Sequence, residues 1–290
     1  MTTAAFLLVI ASAISHATWN FLLKRSNHKT AFLWSLGAVS FAAFLLPAAV
    51  FAYIDGIGAR GVMFGAVSAL LHGVYGLALS RGYQLGDLST VYPISRGMGP
   101  ALVPLAAVLL LDERASVAAG FGIALVVAGI YAINIEARSL RDLIQPLRAL
   151  NRPATRVAFL TGALIASYSL WDKMALDHLS PVTLNQFAIT GWLLVLAPVA
   201  LRSSAGPVRS EWRQRGGSIL AAGVLAPLGY ILVLVALTTS RISYIAPARE
   251  MGIVLGALLG VLFLGEGYGA SRILGSLLIL AGVLTLGLAP

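Results

Sequence analysis

The stretch Val91–Arg114, VYPISRGMGPALVPLAAVLLLDER, is a hydrophobic segment of membrane-spanning length that carries an arginine near its start. An arginine within a membrane helix costs roughly 2.5–3.5 kcal/mol even on the most lenient insertion scale. We therefore expect Arg96 to face something polar and not the lipid. The segment predicts a membrane helix with a functional role.

The same stretch recurs 153 residues later as IAPAREMGIVLGALLGVLFLGEG, Ile245–Gly267, and this places Arg249 at the position of Arg96. From Tyr92 onward, 13 of the 46 aligned pairs are identical without a gap. Chance would give roughly five identities in a composition so rich in Leu, Gly and Ala. The chain is therefore predicted to contain an internal duplication.

The composition is that of a multi-pass membrane protein. Of 290 residues, 59% are hydrophobic and only 11% charged, and the mean hydropathy is +0.89, whereas soluble domains carry about 25% charged residues. The net charge of +9 comes from arginines in short loops, so we predict no nucleic-acid partner and expect the lipid bilayer as the surroundings. The chain has no cysteine, which excludes disulfides and thiol chemistry.

We predict an all-α integral membrane fold, because segments of about 20 apolar residues recur along the chain. The ten predicted helices are 3–23, 30–53, 61–82, 87–111, 115–135, 156–178, 181–201, 216–239, 242–264 and 269–289. The segment 136–155 is predicted to be a basic amphipathic surface helix. The segment 202–215 is predicted to be a basic loop.

The duplication divides these helices into two units of five. Residues 1–137 form the first unit, 138–155 a basic linker and 156–290 the second unit. Trp19-Asn20 in the first unit match Trp171-Asp172 in the second at an offset of 152. An odd number of helices makes the second unit enter the membrane from the opposite side, so we predict inverted repeats around a central cavity. Secondary transporters have this architecture, with the substrate site near the bilayer midplane.

Lysine and arginine residues concentrate in the loops that follow odd-numbered helices, whereas the other loops hold little beyond Arg60, Arg114 and Arg241. The positive-inside rule therefore predicts that the 1–2, 5–6 and 7–8 loops are cytoplasmic. Both termini would then face away from the cytoplasm. We expect the membrane to be the inner membrane of a bacterium.

Short motifs in both halves resemble one transporter family. The string His16-Ala17-Thr18-Trp19-Asn20 resembles the H-A-x-W-N start of EamA-type proteins, in the drug/metabolite transporter superfamily. Pro93-Ile94-Ser95-Arg96-Gly97 and Leu111-Asp112-Glu113-Arg114 resemble the P-x-S-R-G and L-G-E-R signatures of this family, with Asp112 where the family often has Gly. Pro247-Ala248-Arg249-Glu250 and Leu264-Gly265-Glu266 repeat them.

Within that family the chain is most similar to bacterial exporters of aromatic amino acids of the YddG kind. The resemblance implies ten helices, an inverted repeat, a central cavity and export of amino acids or related metabolites. It also implies cytoplasmic termini, whereas the distribution of Lys and Arg predicts the opposite orientation.

Arg96 and Arg249 are the main candidates for binding the substrate, because a carboxylate is a natural partner of a buried guanidinium. Anchoring to neighbouring helices, or reaching the membrane surface, is the structural alternative. We predict that Asp172 or Glu250 neutralises Arg249 while Arg96 meets the uncharged Asn20. Arg96 would then be the better anchor for an anionic group.

Aromatic residues on the repeat-bearing helices are predicted to line the cavity, where they would bind flat apolar groups by stacking. Location in the interfacial belts of aromatic residues is the alternative. His16 lies one helical turn before Asn20 and is included as a candidate for proton relay or for an interhelical hydrogen bond. The predicted aromatic residues are Trp19, Tyr75, Tyr92, Tyr168, Trp171 and Tyr244.

Prolines and glycines predict where the helices bend and pack. Pro93, Gly97 and Gly99 are predicted to shape helix 4, and helix 9 carries a ridge of small residues that permits close packing or sliding during gating. That ridge consists of Gly252, Gly256 and Gly260.

The leading functional prediction is a secondary transporter that exports aromatic or other neutral amino acids by alternating access, acting as a monomer. The alternative is a multidrug or other metabolite efflux transporter. The chain shows no metalloprotease motif, acid dyad or serine-nucleophile motif, so we do not expect an enzyme. The four histidines have no metal-ligand spacing, and we expect neither a metal nor a cofactor.

Overall fold

The computed structural model describes residues 1–85, 88–134, 152–202, 205–264 and 269–289. Within these ranges the chain forms eleven α-helices and no β-strand. They are α1 (Thr3–Lys24), α2 (Lys29–Asp55), α3 (Ala59–Leu85), α4 (Leu88–Leu110), α5 (Val117–Asn134), α6 (Pro153–Ala175), α7 (Pro181–Arg202), α8 (Ala205–Thr239), α9 (Ile242–Ala248), α10 (Met251–Leu264) and α11 (Ala270–Leu288). Most of the predicted amphipathic linker, residues 135–151, lies outside the described ranges.

The helices are those of a multi-pass membrane protein. A helix occupies each of the ten predicted ranges, with α9 and α10 sharing one of them. Seven segments among the described residues are long and apolar enough to cross a membrane, and two shorter apolar helices cover 94–110 and 117–133. Large apolar side chains such as Leu46 (73% exposed) and Leu109 (74% exposed) cover the outside. Such exposure is expected where lipid and not water surrounds the protein.

The basic segment 202–215 differs from the prediction, because α8 begins at Ala205 and includes most of it. The physical reason is Glu211, which is only 2% exposed. Its carboxylate accepts hydrogen bonds from the backbone N–H groups of Asn27 and His28, both at 2.8 Å. This contact fixes the start of α8 against the start of α2. The helix bends at Arg215, where φ is −138° and ψ is 25°.

The predicted ninth helix is interrupted at Arg249 and Glu250, which separate α9 from α10. Pro247 has no N–H and its ring opposes the continuation of a regular helix. Around the break, the N–H of Glu250 bonds to the carbonyl of Pro247 at 3.1 Å, and the N–H of Gly252 bonds to that of Arg249 at 3.1 Å. These are three-residue bonds of the 3₁₀ type. In contrast, α4 runs without interruption although it contains three prolines.

The end of α4 explains the L-D-E-R motif. Asp112 has a φ of 52°, a left-handed conformation that glycine adopts most easily, and the repeat places Gly265 at the equivalent position. Glu113 accepts hydrogen bonds from the N–H groups of Ile242 (2.8 Å) and Ser243 (3.0 Å). Glu113 therefore caps the start of α9. Its counterpart Glu266 lies outside the described residues.

Glycines allow the closest contacts between the two halves of the chain. Helices α5 and α11 cross at two glycine pairs. A Cβ on Gly122 would lie 3.0 Å from the carbonyl oxygen of Gly282, and one on Gly129 would lie 2.7 Å from that of Gly275. Helices α3 and α7 approach in the same way, since a Cβ on Gly191 would overlap the backbone carbonyl of Ala69.

The contact at Gly191 makes a testable prediction about stability. Gly191→Ala should destabilise the protein by at least the roughly 1–3 kcal/mol typical of core overpacking, because the new methyl group meets backbone and not a movable side chain. Thermal unfolding of the purified variant in detergent measures this. Gly256→Ala is the matched control, since nothing lies within 4 Å of a Cβ there. Equal melting temperatures for the two variants would contradict the prediction.

Candidate functional site

A cavity of about 180 Å³ lies between helices from both halves of the chain. Its wall comes from α1, α2, α3, α4, α6, α7, α8 and α10 and from the break between α9 and α10. Gly252, predicted to pack or gate, lines it, and so do seven of the predicted substrate-binding residues: His16, Trp19, Asn20, Tyr75, Arg96, Tyr168 and Arg249.

One side of the cavity is aromatic. The ring of Tyr75 lies 5.3 Å from that of Tyr168 and 5.8 Å from that of Trp192, measured between centroids. The imidazole of His72 lies 4.2 Å from the ring of Tyr168. These separations fall within or near the range of favourable aromatic contacts, so this wall suits a flat apolar group.

His16 lies between two hydrogen-bond donors. Its Nδ1 is 3.2 Å from the indole nitrogen of Trp19, and its Nε2 contacts a guanidinium nitrogen of Arg96. A neutral imidazole has one acceptor nitrogen, and both neighbours can only donate. The tautomer of His16 therefore decides which of the two neighbours donates to it, and His16, Trp19 and Arg96 together form one part of the cavity wall. The predicted contact between Arg96 and Asn20 is not what the structure shows, because the Asn20 amide donates to the carbonyl of His16 at 2.8 Å.

Glu250, which one alternative predicted to neutralise Arg249, lies near Arg96 as well. A guanidinium nitrogen of Arg96 is 3.9 Å from a carboxylate oxygen of Glu250, and the two side chains are 14% and 9% exposed. The prediction paired Arg249 with a carboxylate and Arg96 with an uncharged residue. In the structure, Arg96 has a carboxylate beside it. The break between α9 and α10 brings Glu250 to this position.

Arg249 has a different environment. Its guanidinium carbon lies 5.7 Å above the centre of the Tyr230 ring, which is a cation–π arrangement. Within the part of the chain that the structure describes, no hydrogen bond or ion pair of its side chain is found. Arg249 lines the cavity, so its guanidinium is the less compensated of the two cations.

Asp172, the other predicted partner of Arg249, lies behind the wall. Its side chain is 0% exposed, and it accepts hydrogen bonds from Ser68 Oγ (2.6 Å) and from the hydroxyl of Tyr230, with His72 Nε2 at 2.8 Å. Asp172 is not among the residues that line the cavity, and its role as a substrate-binding residue stays a prediction. It supports two residues, His72 and Tyr230, that do line the cavity.

Two aromatic predictions also differ from the structure. Trp171 donates its indole N–H to the carbonyl of Phe64 at 2.9 Å and stacks near the Phe64 ring, away from the cavity. Tyr244 is 1% exposed in the core, and its hydroxyl lies 3.4 Å from the N–H of Ser116. Both residues make packing contacts between helices, because the face of a helix that carries a sequence motif need not face the cavity.

The predicted packing residues are only partly seen. The side chains of Tyr92 and Pro93 lie outside the described part of the chain. A Cβ on Gly99 would lie 3.0 Å from Ile165 of α6, and one on Gly252 would lie 3.6 Å from α1, so both glycines permit close packing within the chain. The remaining positions, Gly97, Gly256 and Gly260, stay predictions for gating.

Trp192, Tyr230 and Asn185 are among the residues of the wall that the sequence did not predict. All three lie outside the repeated motifs, which is why the duplication did not identify them. Asn185 is 2% exposed, and its amide nitrogen has no hydrogen-bond partner among the described residues. A polar residue within an apolar span was the available signal for Asn185.

The cavity and the charged residues within the spans are features of a membrane protein that handles a small solute. The sequence profile of the EamA-like transporter family matches residues 154–288. This match supports a membrane transporter of the drug/metabolite transporter superfamily, as the motifs predicted. Comparison with curated protein sequences gives no match.

Solved structures share the fold over the whole chain. One crystal structure, described simply as that of a protein, aligns with a TM-score of 0.69 at 18% identity and covers 99% of both chains. At this identity the similarity establishes the fold alone.

The Arg96–Glu250 pair leads to a second prediction. Glu250→Gln should destabilise the protein, because removing one partner of a buried pair leaves an uncompensated charge that typically costs about 3–5 kcal/mol. The double variant Arg96→Gln, Glu250→Gln should recover part of this loss. Thermal unfolding of the three proteins in detergent measures the coupling. Strictly additive losses would show that the two charges do not stabilise each other.

Proposed function

We propose that this protein is a secondary transporter that exports aromatic or other neutral amino acids across a bacterial inner membrane. Arg249 carries the proposal. A guanidinium that faces a cavity within a membrane protein requires a compensating anion, and a substrate carboxylate supplies one.

The wall offers a partner for each part of an amino acid. Arg249 suits the carboxylate, Glu250 provides a carboxylate for the ammonium group, and the aromatic wall that includes Tyr75 and Tyr168 suits a flat side chain. Ligand pockets are mostly apolar with a few well-placed polar groups, and this cavity fits that description.

The size of the cavity favours a small solute over the multidrug alternative. Pockets for drug-sized ligands are roughly 300–1,000 Å³, whereas this cavity measures about 180 Å³. Multidrug efflux is therefore the second candidate, and the transport assay below includes a cationic drug.

Two observations support the proposed inverted repeats, with units at 1–137 and 156–290 joined by 138–155. The offset of 153 relates Gly122 to Gly275 and Gly129 to Gly282, and these glycines contact each other crosswise, Gly122 with Gly282 and Gly129 with Gly275. A two-fold relation between the halves produces this pattern. The repeat equates α1, α2 and α3 with α6, α7 and α8. The contacts between helices follow this exchange: α1 packs on α8 as α6 packs on α3, and α3 packs on α7 as α8 packs on α2.

Inverted repeats support alternating access, in which one half rocks against the other around the central site. The break at Arg249 and Glu250 places irregular backbone at the cavity, where such backbone is tolerated in membrane proteins.

The carboxylate role of Arg249 is tested by substrate discrimination. Wild-type protein in proteoliposomes should take up labelled phenylalanine in preference to phenylalaninamide, which lacks the carboxylate. Arg249→Gln should lose roughly 10–100-fold of this preference, because a charge-assisted hydrogen bond contributes about 1.5–3 kcal/mol. Uptake is measured beside that of a cationic drug.

Arg241→Gln is the matched control, because Arg241 also lies over a tyrosine ring, at 5.8 Å from Tyr244, but away from the cavity. Its uptake and preference should equal those of wild type. If Arg249→Gln keeps the full preference for phenylalanine over phenylalaninamide, Arg249 does not bind the carboxylate. Transport of the cationic drug alone would favour the multidrug alternative.

The proposed orientation places the 1–2, 5–6 and 7–8 loops in the cytoplasm. Because the chain has no cysteine, single cysteines report on sidedness without background. In intact cells, a membrane-impermeant thiol reagent should label Gly58→Cys, whereas Arg213→Cys should react only after the membrane is opened. Both positions are exposed. The reverse pattern of labelling would invert the orientation.

A further inference from the structure

The buried carboxylate of Asp172 is the centre of a cluster that the proposed solute site does not use. Its Oδ1 accepts from Ser68, and its Oδ2 is shared by His72 and Tyr230. These groups come from α3 and α8 and meet the carboxylate on α6. The cluster thus links three helices from both halves of the chain.

The cluster has a route to the cavity. Asp172 is fully buried, whereas His72 and Tyr230 belong to the cavity wall. The imidazole Nε2 of His72 is 2.8 Å from the carboxylate and 3.3 Å from the Tyr230 hydroxyl. A proton that reaches the imidazole from the cavity can therefore pass to Asp172 without a further carrier. Histidine is the side chain whose protonation changes most readily near neutral pH.

Few other ionisable groups face this pair. Tyr168 of α6 packs on the His72 ring, Tyr230 of α8 donates to Asp172, and Arg249, in the break between α9 and α10, lies over Tyr230. A solute at Arg249 therefore lies one side chain away from the pair. Because charges interact strongly in surroundings of low dielectric constant, the charge of the pair and the charge of the solute influence each other.

We propose that His72 and Asp172 form a proton-binding site that exchanges with the cavity and couples transport to a proton gradient. The pair carries one negative charge with a neutral imidazole, and uptake of one proton makes it neutral overall. Because His72 and Tyr230 belong to α3 and α8, a change in this charge acts on contacts between helices of both halves.

Proton binding is tested without any solute. Infrared difference spectra between mildly alkaline and mildly acidic pH show whether a buried carboxyl or an imidazolium forms. The wild type should gain a band that the double variant His72→Gln, Asp172→Asn lacks. Each single substitution serves in its place if the double variant does not fold. Thr285→Ala is the control and should retain the band, because the Thr285 hydroxyl donates to the carbonyl of Ala281 within α11 and not to the pair.

Coupling is tested in proteoliposomes, and this arm rests on the proposed function. An imposed pH gradient should drive accumulation of labelled phenylalanine by the wild type. Asp172→Asn should still exchange internal for external phenylalanine but should not accumulate it. A response of the wild type to the gradient in either direction supports the inference.

The outcomes separate the two proposals. Identical infrared differences in wild type and variants would overturn the proton site. Phenylalanine flux that ignores the gradient in the wild type would overturn the coupling while leaving the solute proposal intact. A proton-dependent band in a protein that carries neither phenylalanine nor any other neutral amino acid would support the proton site and refute the proposed solute.

Discussion

The cost of placing charge in apolar surroundings constrains the interior of this protein more than any other interaction. Arg96 and Asp172 lie on membrane helices, whereas Arg249 and Glu250 lie in the break between α9 and α10, and each charge has different partners. Asp172 is buried with three hydrogen-bonding neighbours. Arg96 has His16 and Glu250. Arg249 is turned to a cavity and an aromatic ring. The helices are held in the arrangement that makes these contacts possible.

The duplication explains why the site has two arginines, and the differences between the copies explain why they are unequal. Both copies place an arginine at the same position. Only the second copy breaks its helix there, and only the second has a glutamate as the next residue. That glutamate lies 3.9 Å from the arginine of the first copy, so it compensates that arginine as well as its own neighbour. Symmetry in the sequence thus produces an asymmetric distribution of charge around the cavity.

The fold was predictable because membrane helices depend on local composition, and apolar length alone located helices in all ten ranges. The first turns of α8 were predicted as a loop, because their helix depends on the distant contact of Glu211 with Asn27 and His28. At the site, motif residues such as His16, Trp19 and Arg96 were found. The side on which Trp171 and Tyr244 would pack was not predictable, since helix rotation is determined by neighbouring helices. The partners of Arg96 depend in the same way on where the break between α9 and α10 falls.

The glycine crossings of α5 and α11 have a mechanical consequence. At both crossings the backbones meet with no room for a side chain, so rotation of either helix about its axis would drive a larger residue into the partner backbone. Close packing of this kind permits few alternative arrangements. The two helices therefore form a rigid unit, relative to which other helices can be displaced. Four glycines thus hold α5 and α11 in one fixed contact.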